Sequence, residues 1–174
     1  MDINHIVDIA ISQSLKDIKN IFASRKNVPN IDYLDKVSFY FKDGIKEAEN
    51  DFELGGMEIL IEGYDIYIRH ETMMDMIHDD AKWFAHCEES DPSFYNYSKE
   101  NERILATIVE TIYHEVRHTL SAERLGNKYY SEYSAETKKN GYWDNRFERV
   151  ARSMQKRSII TLSKILPLLK EVDE

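Results

Sequence analysis

Apolar side chains at Ile3, Ile6, Val7, Ala10, Ile18 and Phe22 recur near one face of a 3.6-residue period, with Asp8, Lys16 and Lys19 elsewhere around it. This spacing predicts a helix over 3–23. Beyond the turn-forming run Asn27-Val28-Pro29-Asn30 the pattern shortens to VSFYF at 37–41, whose β-branched and aromatic residues predict a strand closed by Asp43-Gly44. The segment 57–69, MEILIEGYDIYIR, holds two β-type runs around Glu62-Gly63-Tyr64-Asp65 and predicts a hairpin. These runs make a small sheet of about three strands, antiparallel or mixed.

Helical spacing returns at Glu71 and predicts a helix over 72–87, with Met73, Met76, Ile77, Trp83, Phe84 and Cys87 inward. A loop follows at Glu89-Ser90-Asp91-Pro92-Ser93. Ser98 then caps a long helix through Leu105, Ile108, Val109, Ile112, Val116 and Leu120, which Gly126-Asn127 ends. A shorter helix over 129–139 stops at Asn140-Gly141. A last long one begins at Asp144 or Asn145 and runs through Phe147, Val150, Ala151, Met154 and Leu162 until Pro167 breaks or restarts it. The class is α+β and mostly helical, and residues 1–174 read as a single domain, without repeats or a long linker.

Charge narrows the function. The formal net charge of -9 argues against nucleic acid and anionic lipid as partners. Residues 1–100 carry 10 basic and 21 acidic side chains, while the remainder is slightly basic, so the cluster Arg146, Arg149, Arg152, Lys156 and Arg157 is expected to be a solvated face that pairs with the acidic half. The lone Cys87 excludes disulfides and multi-cysteine zinc modules and reads as a small core residue. The opening residues have no basic leader or long apolar run, and no 18-residue stretch stays apolar, so the expected address is the cytoplasm, with no membrane span.

Against this background stands His114-Glu115-Val116-Arg117-His118, an HExxH sequence in the helical context ATIVETIYHEVRHTL. Residues four apart share a helix face, so both imidazoles can reach one ion about 2 Å from their nitrogens, with Glu115 beside the ion's open position. Zinc suits this arrangement: it lowers the pKa of a bound water toward neutrality, and a neighbouring carboxylate takes the proton as the water attacks a carbonyl. With 6 His and 18 Glu in 174 residues, chance produces HExxH somewhere in about 2% of such chains.

The segment resembles the active-site helix of the zincin metallopeptidases, over about 15 residues directly. The metzincin extension HExxHxxGxxH is not met, because Ser121 and Arg124 stand where glycine and the third histidine belong. In the gluzincin branch a later glutamate supplies the third ligand, and two glutamates qualify: Glu148, in the first turn of the last amphipathic helix with Ala151 one turn on, and Glu136, 18 residues after His118. Glu148 is favoured by its helical setting and by its match to the E-x-x-A element of small gluzincin-like domains.

The resemblance implies that His114, His118 and Glu148 hold Zn2+, that Glu115 is the general base, and that a peptide or protein is the substrate. It also implies an oxyanion-stabilising side chain, for which Tyr129, Tyr130, Tyr133 and Tyr142 are candidates, and a sheet edge near the active-site helix that receives an extended peptide, supplied by one of the strands at 57–69. The alternative is a regulatory or binding domain that keeps the zincin scaffold and its metal without turnover. A third reading is a zinc-free helical interaction module. His70, His78 and His86, with Asp79, Asp80 and Cys87 near them, are too loosely spaced for a second metal site and read as surface histidines.

Overall fold

A computed structural model describes residues 3–26, 28, 30–43, 47–48, 51–52 and 54–170. Helix α1 (Ile3–Ala23) buries Ile6, Val7, Ala10, Ile18 and Phe22, as its apolar period predicts. Strand β1 (Val37–Lys42) follows a short 3-10 turn capped by Asn30. Asn27, Pro29 and Gly44, assigned above to turns, lie outside the described residues. The two-residue strands β2 (Glu47–Ala48) and β3 (Asp51–Phe52) pair with each other. Strands β4 (Gly55–Leu60) and β5 (Gly63–Arg69) form the expected hairpin, but it turns at Ile61-Glu62, sharing only Glu62 with the expected 62–65 turn. Gly63, at φ 106°, takes up the reversal in a conformation that side-chain-bearing residues avoid.

The main sheet has the order β1-β5-β4, with β1 parallel and β4 antiparallel to the central β5, so it is mixed. Its β4 edge lies against α4 (Glu100–Leu125), the central helix of the molecule. Helices α1, α6 (Arg146–Gln155) and α7 (Ile159–Leu169) also pack on α4, as does α2 (His70–His78). Surrounded in this way, α4 buries almost its whole circumference from Leu105 to Tyr113, including the polar Thr107, Glu110 and Thr111.

The single helix expected over 72–87 is two. Asp79 adopts an extended backbone and its carboxylate accepts from the Lys82 N–H at 3.1 Å, so it ends α2 and caps α3 (Asp80–Glu89). The break resets the helical phase. Trp83 and Cys87 stay in the core while Phe84 turns outward, 43% exposed, and stacks on Tyr95. Burial pushes the Cys87 thiol up to about 11, in keeping with an inert core cysteine.

The start of α4 also differs from the expectation. Glu102, rather than the Ser98 hydroxyl, serves the free donors: its Oε2 accepts from the Ser98 and Lys99 N–H groups. Helix α5 (Tyr129–Asp144) breaks at Gly141, φ 79°, next to the predicted stop. The last helix is interrupted at 156–158 by a 3-10 turn, after which α7 continues past Pro167 to Leu169. Three residues per turn in place of 3.6 shift the apolar stripe. Phe147, Ala151 and Met154 of α6, and then Leu162, Ile165 and Leu169 of α7, are thereby all buried.

Arginine pairing is local. Arg146 meets Glu132 and Glu136 of α5, and Arg152 reaches the Trp143 carbonyl, so these two members of the cluster pair nearby in the chain and not with the acidic first half. No helix among the described residues is long and apolar enough to cross a membrane.

Candidate metal centre

Helices α4 and α6 run antiparallel and face each other through two regular stripes. On α4, Glu110, His114 and His118 recur every four residues; on α6, Glu148 and Gln155 are seven apart, two turns along the same face. Close approach is permitted by Ala151, fully buried between the two α6 residues. Asn145 fixes the start of α6: its side chain accepts from the Phe147 N–H at 2.8 Å and donates to Thr137 and the Tyr133 carbonyl of α5. Glu148 is thereby held in the first turn, where the helix dipole also favours its charge.

The stripes bring His114, His118 and Glu148 together as a group able to hold a metal ion. The two Nε2 atoms stand 3.2 Å apart, and Glu148 places Oε2 3.2 Å from His114 Nε2 and Oε1 3.3 Å from His118 Nε2. Two imidazole nitrogens bound to a tetrahedral ion at the spacing zinc takes, about 2.0–2.1 Å, are about 3.3–3.4 Å from each other. The observed triangle has this size. Glu148 is 2% exposed, and no donor reaches its Oε2 in hydrogen-bonding geometry. A buried carboxylate oxygen without a donor is a costly arrangement, and a cation removes the cost.

Electrostatics point the same way. Burial opposes a charge on His114, yet Glu148, Glu115 and Gln155 outweigh it and hold the imidazole pKa up at about 9. Burial likewise opposes the Glu148 carboxylate, and the two histidines outweigh it, keeping this acid well below the ordinary range. The cluster therefore demands positive charge at the point where the three side chains converge. Without an ion, a proton on His114 meets that demand.

Each ligand-type group is braced from behind. Tyr133 donates to Glu148 Oε1 at 2.5 Å, Tyr129 pairs with His118 Nδ1 at 3.1 Å, and Gln155 Oε1 lies 2.9 Å from His114 Nδ1. With the Nδ1 atoms engaged, both Nε2 atoms are left for the shared position. Burial and the Glu148 charge push the Tyr133 phenol strongly upward, so it remains a donor.

The ligand atoms open onto a cleft of about 300 Å³ between α4, the β4 edge and the α5–α6 junction, lined among others by Gly55, Met57, Glu115, Tyr130 and Tyr142. Glu115 faces this cleft beside the histidines, as the HExxH spacing predicts. Gly55 explains how the strand comes so close: a Cβ there would stand 2.6 Å from the Tyr67 carbonyl and 2.8 Å from Thr111 of α4. A larger cleft, about 430 Å³, at Lys99, Glu102, Leu166 and Lys170 contains none of this chemistry.

Of the two candidate third ligands, Glu148 joins the histidines. Glu136 lies on α5 among Asn140 and Arg146 and is outside the group. Of the four tyrosines, Tyr129 and Tyr133 serve as braces, while Tyr142, half exposed, and Tyr130 line the cleft. The group of His114, His118 and Glu148 is the one metal-type cluster among the described residues. His78 pairs with Glu100 at the surface. His86, however, is not a surface histidine: its Nε2 lies 2.8 Å from Glu110 Oε2, and Glu110 is 2% exposed. Glu110 and Gln155 had no place in the sequence reading, although their spacings of four and seven from His114 and Glu148 are visible in it. No family model matches the chain, and neither a curated protein nor a solved structure shows a significant likeness to it.

Proposed function

We propose that the protein is a zinc-dependent metallopeptidase of gluzincin type, in which His114, His118 and Glu148 hold the ion. The observation that carries this reading is the convergence of two Nε2 atoms and a donor-free carboxylate oxygen beside Glu115. Two imidazoles and one carboxylate are a ligand set of catalytic zinc sites, which keep a fourth position open. Zinc bound there supplies Lewis acidity that makes water a nucleophile near neutral pH.

The chain's own residues divide the remaining work. Glu115, which lines the cleft with the two histidines, would take the proton of an attacking water and return it to the leaving amine. Tyr142 and Tyr130, which line the cleft, are the candidate donors to a developing oxyanion. The β4 edge pairs only with β5 on its inner side among the described residues, and Gly55, Gly56 and Met57 border the cleft. An extended peptide can add to such an edge through its backbone and lie across the metal position.

Zinc content by elemental mass spectrometry, followed by hydrolysis of a broad peptide library, tests the proposal. About one zinc per chain and cleavage that disappears in Glu115→Gln, with zinc retained, is the expected outcome. Zinc bound without any cleavage would transfer the protein to the regulatory, non-catalytic reading. Absence of zinc uptake would remove the proposal altogether.

A further inference from the structure

Behind His114 the polar contacts continue away from the cleft. Gln155 donates from Nε2 to Glu110 Oε1 at 2.7 Å, and the other Glu110 oxygen lies 2.8 Å from His86 Nε2, with the Ser90 hydroxyl 3.4 Å from the same nitrogen. We propose that Glu110 and Gln155 are positioning residues for the metal centre, which together fix the tautomer of His114 so that its Nε2 lone pair faces the ion. The inference rests on the metal reading above.

The argument follows from which groups can donate. An ionised carboxylate only accepts, so the Gln155 amide must turn its NH2 toward Glu110 and its carbonyl oxygen toward His114. A carbonyl oxygen also only accepts, so His114 Nδ1 must carry a hydrogen. In the neutral ring this leaves Nε2 as the lone-pair nitrogen, directed at the point shared with His118 and Glu148. The charge of Glu110 thus reaches His114 as a fixed direction of hydrogen bonding, through an amide that would otherwise be free to turn over.

Stability alone gives little reason for the network. A carboxylate buried to 2% exposure is costly to desolvate, and apolar replacements of buried ionic networks are often neutral or better. His86, itself largely buried in α3, faces Glu110 and completes its coordination by donors.

A polarity swap tests the inference. Glu110→Gln preserves shape but lets the Gln155 amide turn over and present its NH2 to His114 Nδ1, which puts the ring hydrogen on Nε2 in the ion's place. Zinc affinity, read by competition with a chromophoric chelator, is expected to fall roughly 10- to 100-fold, with the melting temperature of the metal-free protein little changed. Adding Gln155→Glu to Glu110→Gln restores an acceptor facing His114 Nδ1 and a donor facing the new carboxylate, and should recover most of the affinity. Gln155→Met, which removes both hydrogen bonds without adding charge, should show the loss should Glu110→Gln fold poorly. Unchanged affinity in a folded single variant, or no recovery in the swapped pair, would overturn the inference while leaving the metal reading intact. A wild-type chain that takes up no zinc would overturn both.

Discussion

Two carboxylates are buried in this molecule in very different company. Asp17 of α1, 4% exposed, receives Lys164 Nζ at 2.6 Å, the Thr161 hydroxyl at 2.8 Å and the Gln13 amide at 2.9 Å; Thr161 is in turn bonded to Tyr113. Its donors are an ammonium, a hydroxyl and an amide. Glu148, equally buried, faces two imidazole nitrogens that donate only when protonated, and one of its oxygens has no donor. Asp17 ties α1 to α7 and is complete by itself. Glu148 is completed by a proton on His114 or by an added cation, a dependence on a further charge that Asp17 lacks.

The largest expected effect tests the ligand side. His118→Ala or Glu148→Ala should reduce zinc from about one ion per chain to background in elemental mass spectrometry, whereas Asp17→Asn should retain it. Loss of zinc in the Asp17 variant would erase the distinction. Next, Asp17→Ala should lower stability by about 2–3 kcal/mol, or a melting temperature lower by roughly 5–10 °C, with metal content unchanged. The same residue sets a pH dependence. Burial opposes its charge, but Lys164, Thr161 and Gln13 outweigh it and hold the pKa below the ordinary value. Its contribution is therefore present above the unfolded carboxylate pKa of about 3.9 and lost as pH falls through the lower folded value. Acid melting curves of Asp17→Asn should lack this limb.

A smaller effect sharpens the ligand side. Tyr133→Phe removes the hydroxyl that holds Glu148 Oε1 and should weaken zinc binding by roughly tenfold, measured by chelator competition. Smallest of all, Glu136→Ala removes a partly exposed pair with Arg146 and should change stability by no more than about 1 kcal/mol, with zinc unaffected. A large zinc loss in that variant would return Glu136 to candidacy as a ligand.

What could be read in advance depended on the range of the signal. The HExxH stripe and the placement of Glu148 ahead of Ala151 are written in local spacing, and both reappear in the geometry. Helix α1, the three strands and the stop near Gly141 were equally legible, since each is dictated by residues within a few positions. The break at Asp79 was not, because an aspartate in an amphipathic run reads as a solvated face until its carboxylate is seen to cap the following turn. Phe84 was lost with it. Glu110, Gln155 and His86 escaped for another reason: their roles depend on the register between α4, α6 and α3, which no one segment contains. The direction of Arg146 toward α5 also depends on tertiary placement, and net charge by halves pointed elsewhere.

The 30-residue separation of His118 and Glu148 along the chain would give a bound ion a role in folding. An ion that joins them closes a loop containing all of α5, as a reversible cross-link would, and the entropy of such closure rises only slowly with loop length. Because an unfolded chain has no preformed site, every increment of such ion binding would become folding free energy, about 4 kcal/mol when free ion exceeds its dissociation constant a thousandfold. The supply of metal in the surroundings would then govern how long the folded chain survives, as well as what it can do.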